Sequence, residues 1–265
     1  MFDTLESRII IDYEIWVRSD LHIGGHDSGA PGAVDMGVMK DVDGYSFVPG
    51  SSLKGVLRSE MERLLNGLGK HACSPDPDKL CNAGEECTVC LLFGGREVAG
   101  SIRVRDAYTD SRRTMVRDGV RIDRKTRKAA GGAYYTMEAV PKGTKFKGRI
   151  TIENPKLGEY RYAKLGALLG TVRFFNATSK SLGGGVSRGF GEVLIVPRLI
   201  REITADDYLE GRYEGRELVS LIERDDLGEI LERGELPMRP DDAVDRFIGD
   251  WKGYVEAMED GGKEP

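Results

Sequence analysis

No stretch of this 265-residue sequence approaches the roughly 20 apolar residues that a membrane-spanning helix needs, and Met1 to Ser7 holds two acids in place of an apolar signal core. A cytoplasmic protein with no membrane partner is therefore expected. The glycine run at 183–191 fits no Gly-x-Gly-x-x-Gly register and no Gly-Lys-Ser/Thr follows it, which excludes a dinucleotide fingerprint and a P-loop. Ser51-x-x-Lys54 matches an acyl-transfer nucleophile motif, but the Ser-Asp-Asn and Lys-Thr-Gly elements that such enzymes need are missing. Histidine is scarce, with only His22, His26 and His71. Cysteine is limited to four residues, all between positions 73 and 90, and in a reducing compartment such crowding points to metal ligands rather than disulfides.

The formal net charge of −5 argues against a polyanionic partner only as an average. Residues 202–265 hold 20 Asp/Glu against 8 Lys/Arg, whereas residues 1–201 hold 24 acids against 31 bases. A basic body with an acidic tail suits binding of a polyanion by the body alone.

Along the chain, Arg8 to Arg18 alternates with period two, Ile9, Ile11, Tyr13, Ile15 and Val17 facing one way, as a half-buried strand does. Asp35 to Val48 reads as a hairpin turning at Asp43-Gly44. Ser51 is the expected N-cap of a helix whose stripe runs from Leu53 to Leu68, with Lys54 and Arg58 on one flank of its first turns. Strands are expected over 101–106, 145–153 and 193–196, and a second helix over 160–176. Between them lies an excursion of roughly 40 residues. Its 110–128 stretch carries eight Lys/Arg against three Asp, and the pair Tyr134-Tyr135 follows. Length, charge and stackable rings fit a projecting finger that tracks a nucleic-acid backbone.

The expected class is α+β, a ferredoxin-like core over 1–198 in the order strand, helix, strand, strand, helix, strand. Inserts occupy 70–95 and 108–144, and an acidic, mainly helical extension covers 199–265, with helices over 218–231 and 243–258 and Trp251 as its anchor. In the first insert, Cys87-x-x-Cys90 with Cys81 and Cys73 gives four soft ligands for a structural Zn²⁺, and His71 is a fifth candidate. The glycine run, with Arg188 in its middle, can turn backbone N–H groups into an anion cradle.

Five stretches in order resemble one family. They are Leu21-His22-Ile23-Gly24-Gly25; Val34-Asp35-Met36-Gly37-Val38-Met39-Lys40-Asp41; Val48-Pro49-Gly50-Ser51-Ser52-Leu53-Lys54-Gly55-x-Leu57-Arg58; the Cys-x-x-Cys-x-Leu-Phe-Gly run ending at Gly94; and Gly184-Gly185-x-Ser187-Arg188-Gly189-Phe190-Gly191. Together, over residues 8–197, they resemble the repeat-associated mysterious proteins (RAMPs), and within them the backbone subunit repeated along type III CRISPR effector complexes. The resemblance implies copies stacked head to tail along a CRISPR guide RNA beside other effector subunits. It also implies a finger wedged into the guide–target duplex, and cleavage of single-stranded target RNA by an aspartate in the loop after the first strand, with Mg²⁺ or Mn²⁺. By motif position that aspartate is Asp35. His22 and His26 are candidate proton carriers. The expected RNA contacts are His22, Ser51, Lys54, Arg58, Gly184, Gly185, Ser187 and Arg188, joined by Arg124 and Arg127 on the finger. A non-catalytic structural subunit and a guide-processing endoribonuclease are the alternatives.

Overall fold

A computed structural model describes residues 4–25, 34–73, 81, 87–178, 181–220 and 242–260. Strand β1 (Ser7–Val17) buries every second side chain, as its alternation requires. It lies at the centre of an antiparallel sheet with β7 (Lys145–Glu153) on one side and β8 (Val193–Thr204) on the other. The short strands β3 (Ile102–Val104) and β4 (Ala107–Tyr108) pair with β7, β2 (Phe47–Val48) pairs with β4, and β9 (Arg216–Ser220) closes the far edge beside β8. Helices α1 (Gly50–Gly67) and α3 (Ala163–Thr178) complete the α+β core. Stripped of its inserts, the chain runs β1-α1-β3-β7-α3-β8 with strands ordered β8-β1-β7-β3, the ferredoxin-like plan. Ile9, Ile11, Ile15, Leu53, Leu57, Phe146, Leu165 and Phe175 fill the space between sheet and helices at 2% exposure or less.

Several expectations need correction. The strand expected over 193–196 runs to Thr204, so the 198/199 boundary falls inside β8. The expected strand stops one residue short of Pro197, but Pro197 stays in register opposite Tyr13, Asp12 pairs with Leu199, and Arg198 between them is the extra residue of a bulge directly beside the residue that cannot donate. Residues 218–220 belong to β9 rather than to a helix, and the remaining 221–231 lie outside the described residues. Ser51 is not the N-cap of α1: Pro49 holds that position, and the Asp106 carboxylate, from the β3–β4 link, accepts the Gly50 N–H at 2.7 Å. A side chain at Gly50 would meet the Val104 carbonyl at 2.2 Å, so this helix start seats directly on sheet backbone.

The excursion is a two-stranded antiparallel ribbon, β5 (Met115–Ile122) with β6 (Ala129–Ala139). After the short helices α2 (Thr88–Phe93) and α4 (Ala205–Leu209), the last helix, α5 (Asp242–Asp260), lies against α3. Contact is close because Gly166 and Gly170 leave room for the Phe247 backbone and the Trp251 ring, and Trp251 is 5% exposed, the anchor its position suggested. Among the described residues no helix is long and apolar enough to cross a membrane.

Candidate functional site

Register gives the finger ribbon two unlike faces. Val116 opposes Glu138, Asp118 opposes Thr136 and Val120 opposes Tyr134, so these six share one face, while Arg117, Gly119, Tyr135 and Met137 share the other. At the tip the Asp123 carboxylate accepts the Lys125 and Thr126 N–H groups at 2.7 and 2.9 Å, and Arg127 takes a left-handed φ of 55°. Arg124 and Arg127 are exposed there.

Asp35 is carried by a segment that runs along the free edge of β6. The Met36 N–H donates to the Thr136 carbonyl at 3.0 Å, and the Glu138 N–H donates to the Met36 carbonyl at 2.8 Å. This places the exposed Asp35 carboxylate on the same face as Thr136. Oδ2 accepts the Thr136 N–H at 2.6 Å and the Thr136 hydroxyl at 2.9 Å, and these donors hold the Asp35 pKa below the ordinary value. Oδ1 takes no hydrogen bond from another described residue.

Two residues along β6, Glu138 is 9% exposed and ties three segments together. Its carboxylate accepts the Val38 N–H at 3.1 Å, the Lys40 ammonium and the Thr114 hydroxyl at 2.6 Å. Burial alone would raise its pKa, but these donors outweigh burial and lower it. Its carbonyl accepts Nδ1–H of His22 at 2.7 Å. In the neutral ring that bond fixes the tautomer and leaves the lone pair on Nε2. His22 is 7% exposed, and its own carbonyl accepts the Gly184 N–H at 2.8 Å.

The opposite ribbon face docks on the glycine loop. Arg188 donates to the Tyr135 hydroxyl, Arg117 pairs with Asp20, and the Arg117 guanidinium lies 5.9 Å from the Phe190 ring centroid. The Tyr135 ring covers Gly119 so closely that a Cβ there would lie 2.1 Å from Cζ. Gly183 and Gly191 both have positive φ, and a side chain on either would strike the carbonyl of His22 or Leu182 at 2.2 Å. The loop is therefore a folded ledge wedged against the end of β1, with Ser187 and Arg188 exposed on it.

Lys54 is half-buried one turn into α1. Burial, then the neighbouring charges of Arg58 and Arg103, depress its pKa, and no carboxylate among the described residues pairs with it. Arg58 is a brace: it donates to Glu62 at 2.9 Å and to the Gly94 carbonyl at 2.8 Å. Ser51 is exposed on the first turn. The helix start and the glycine loop do not abut. Between them run the segments of Ile23, Met39 and Phe47, joined by Met39 N–H to Ile23 O at 2.9 Å and Phe47 N–H to Met39 O at 3.2 Å. At about 4.8 Å per segment the two lie on the order of 15 Å apart.

In the first insert, ligand atoms of His71, Cys73, Cys81 and Cys87 all lie within 4.8 Å of one another, and Cys90 Sγ is 3.1 Å from Cys73 Sγ. Burial, then the Cys73 contact, pushes the Cys81 thiol up to about 12, and the same two causes raise Cys90. Thiols raised in this way become ligands when a cation between them displaces their protons, and their spacing lets the cluster hold a metal ion.

Residues 14–193 match the profile of the RAMP superfamily. The chain belongs to the RAMP superfamily. Proteins named CRISPR system Cms endoribonuclease Csm3 are similar to it. That of Methanocaldococcus jannaschii is 28% identical over 203 residues, covering 72% of this chain and 79% of its own. That of Methanothermobacter thermautotrophicus is 28% identical over 238 residues, covering 77% and 89%. The Streptococcus thermophilus protein is 32% identical over 121 residues, covering 43% and 51%.

In this RAMP chain the structure gathers Asp35, His22, Gly184, Gly185 and Arg188 around the finger's base. It leaves Ser51, Lys54 and Arg58 on a second site, and Arg124 and Arg127 at the finger tip. His26 lies outside the described residues. Sequence reasoning missed Thr136 and Glu138, although the alternation Tyr134-x-Thr136-x-Glu138 marked one polar strand face.

Proposed function

We infer that the chain is a backbone subunit of a type III CRISPR ribonucleoprotein that binds guide RNA, assembles with other effector subunits and cleaves complementary target RNA. Its membership of the superfamily and its likeness to Csm3 endoribonucleases support the class. The reading of Asp35 as the cleaving residue rests on one observation: an exposed carboxylate, held ionised by Thr136, at the base of a basic ribbon.

RNA carries its own nucleophile. When a 2′-OH attacks the adjacent phosphorus, a 2′-O–P bond forms, the P–O5′ bond breaks, the 2′ proton leaves to a base and the 5′ oxygen takes one up. A finger that unstacks one nucleotide supplies the in-line geometry. Asp35, with Oδ1 open, orients the 2′-OH by accepting its hydrogen bond, and Nε2 of His22, whose Nδ1–H is held by the Glu138 carbonyl, is the imidazole atom left to take a proton. The exposed single carboxylate also fits a hydrated Mg²⁺ or Mn²⁺, which binds through one or two carboxylates and waters. Such a cation would supply charge stabilisation at the scissile phosphate.

Lys54 and Arg188, with the loop residues Gly184, Gly185 and Ser187, are assigned to guide phosphates, which position the strand without reading its sequence. Ser51, Arg58, Arg124 and Arg127 are secondary contacts. The cysteine cluster is assigned a structural Zn²⁺ held by four of His71, Cys73, Cys81, Cys87 and Cys90. Copies stack head to tail, an open heterologous contact.

Asp35→Ala in the assembled complex, incubated with complementary RNA and Mg²⁺, should abolish cutting while guide RNA is retained. Persistent cutting would remove Asp35 from the mechanism. Absence of cutting by the unaltered complex would favour the purely structural subunit.

A further inference from the structure

The open face of the sheet, opposite α1 and α3, carries many cations, and most are neutralised where they stand. Arg8 and Arg103 pair with Glu153, Arg149 and Arg201 pair with Asp12, and Arg198 approaches Glu14. One end of this face differs. Where 109–114 leaves for the finger and 140–144 returns, a recess of about 690 Å³ is walled by Arg113, Lys142, Lys145 and Lys147, with Asp110 its one acid. Among the described residues no carboxylate pairs with Arg113, Lys142 or Lys147, and Lys145 lies 3.9 Å from the Trp16 ring centroid.

A second recess of about 700 Å³, which includes Arg105, continues along the strands, and Tyr108 and Lys147 line both. Tyr108 and Lys147 are directly cross-strand, so their side chains rise from the same face. The Tyr108 ring is 45% exposed and is backed by Phe47 at 5.5 Å between centroids. The second recess also holds Asp12 and Asp106, with Arg149 paired to Asp12, so the unneutralised cations gather in the first. A half-open aromatic ring fixed from behind, at the rim of a hollow edged by such cations, has the composition of a single-strand platform: rings take bases and ammonium groups take phosphates.

We propose that this trough at the root of the finger binds a single-stranded RNA segment, one base stacked on Tyr108 and the flanking phosphates held by Lys147, Lys142 and Arg113. Its lining includes neither Asp35 nor any residue of the glycine loop or of α1, although Asp106, in its second recess, caps the N-terminus of α1. The choice of RNA as the polyanion rests on the function proposed above, and the strand is either the guide or the target.

The test uses the full-length protein and a fluorescent single-stranded RNA, with affinity measured across a salt series. Lys142→Ala with Lys147→Ala should reduce the slope of log K against log salt by about 1.4, at about 0.7 per phosphate. Tyr108→Ala should weaken binding by about 5- to 150-fold, and Tyr108→Phe should retain it. Unchanged slope and affinity in variants that melt normally would overturn the trough. So would variants that shorten the assembled oligomer without changing RNA binding, since the face would then be a subunit contact.

The complex then assigns the strand. A loss of co-purifying guide places the guide in the trough, and intact guide with weaker capture of target RNA places the target there. Because affinity is read without cleavage, a complex that never cuts would refute the nuclease reading and leave this measurement to stand or fall alone.

Discussion

Two donors from Thr136 converge on Oδ2 of Asp35, and the depressed pKa that results fixes how this residue responds to pH. A carboxylate whose pKa lies below about 3.8 stays ionised at every pH near neutrality. Asp35 should therefore contribute no acid limb to the cleavage rate above about pH 5; a limb there that moves to higher pH in Thr136→Val, which removes one of the donors lowering the Asp35 pKa, would contradict this. Thr136→Val keeps the backbone donor but loses the hydroxyl, which raises the pKa toward its ordinary value and frees the carboxylate to swing. Since a displacement of about 1 Å can cost about 100-fold, single-turnover cutting should fall about 10- to 100-fold with guide content unchanged. At the finger tip, Arg127 holds φ 55°, a conformation that costs a non-glycine residue about 1–2 kcal/mol. Arg127→Gly removes that cost but loosens the unfolded chain, so urea melts should show a change between zero and about 1 kcal/mol of stabilisation. RNA affinity should drop in the same variant if the guanidinium meets phosphate.

The elements built on local pattern were legible in the sequence, and those built on distant partners were not. The alternation of β1 and the apolar stripes of α1 and α3 follow from residues a few positions apart. The start of α1 was misplaced because its cap comes from Asp106, 56 residues away. β8 was cut short because Pro197 signals an ending locally, whereas its acceptability depends on a bulge against β1. Asp35 was singled out through the motif around it. Thr136, which sets its charge, lies 101 residues on, and no spacing rule connects them. The division of Tyr134 and Tyr135 between opposite ribbon faces likewise needed the register, since as neighbours they looked like one aromatic pair. That register makes a prediction for the element itself. Gly119→Ala places a methyl against the Tyr135 ring, which must move and release Arg188, so the finger should lose its seat on the glycine loop. Limited proteolysis should then cut the 115–139 ribbon faster than in the unaltered protein, and equal rates would mean that the Arg188–Tyr135 contact does not hold it.

Across the whole molecule, charge is sorted by layer. The acidic α5 lies on α3, on the helical side of the sheet, and Arg173 of α3 pairs with Asp245 at 2.7 Å. Among the described residues, Arg113, Lys142 and Lys147 stand unpaired on the open sheet face, and Lys54 at the start of α1 is an unpaired cation on the helical side, so the trough presents a basic surface to a polyanion while α5 faces away from it. The joint between body and extension is Glu202 of β8, 2% exposed, whose carboxylate accepts from Tyr162 at 2.9 Å, Arg216 at 2.8 Å and Arg161 at 3.2 Å. Arg216 brings β9 to this carboxylate, and Asp250 of α5 accepts the Tyr162 N–H at 3.0 Å, so one buried charge organises both added elements. Burial would raise the Glu202 pKa, but Tyr162 and the two arginines lower it on balance. A folded pKa below the unfolded value of about 4.3 means that its stabilisation is present above that pH and is lost as pH falls through the folded value. Glu202→Ala leaves the buried Tyr162 hydroxyl without its acceptor, while the guanidinium groups of Arg161 and Arg216, 60% and 61% exposed, stay hydrated, so the cost is about 1–3 kcal/mol. Urea denaturation at pH 7 should show that loss, and the difference between variant and parent should shrink as pH drops below about 4. The trough lies on the other face of the sheet, so the salt slope of RNA binding by the folded variant should match that of the parent. A changed slope would mean that the extension shapes the RNA surface directly.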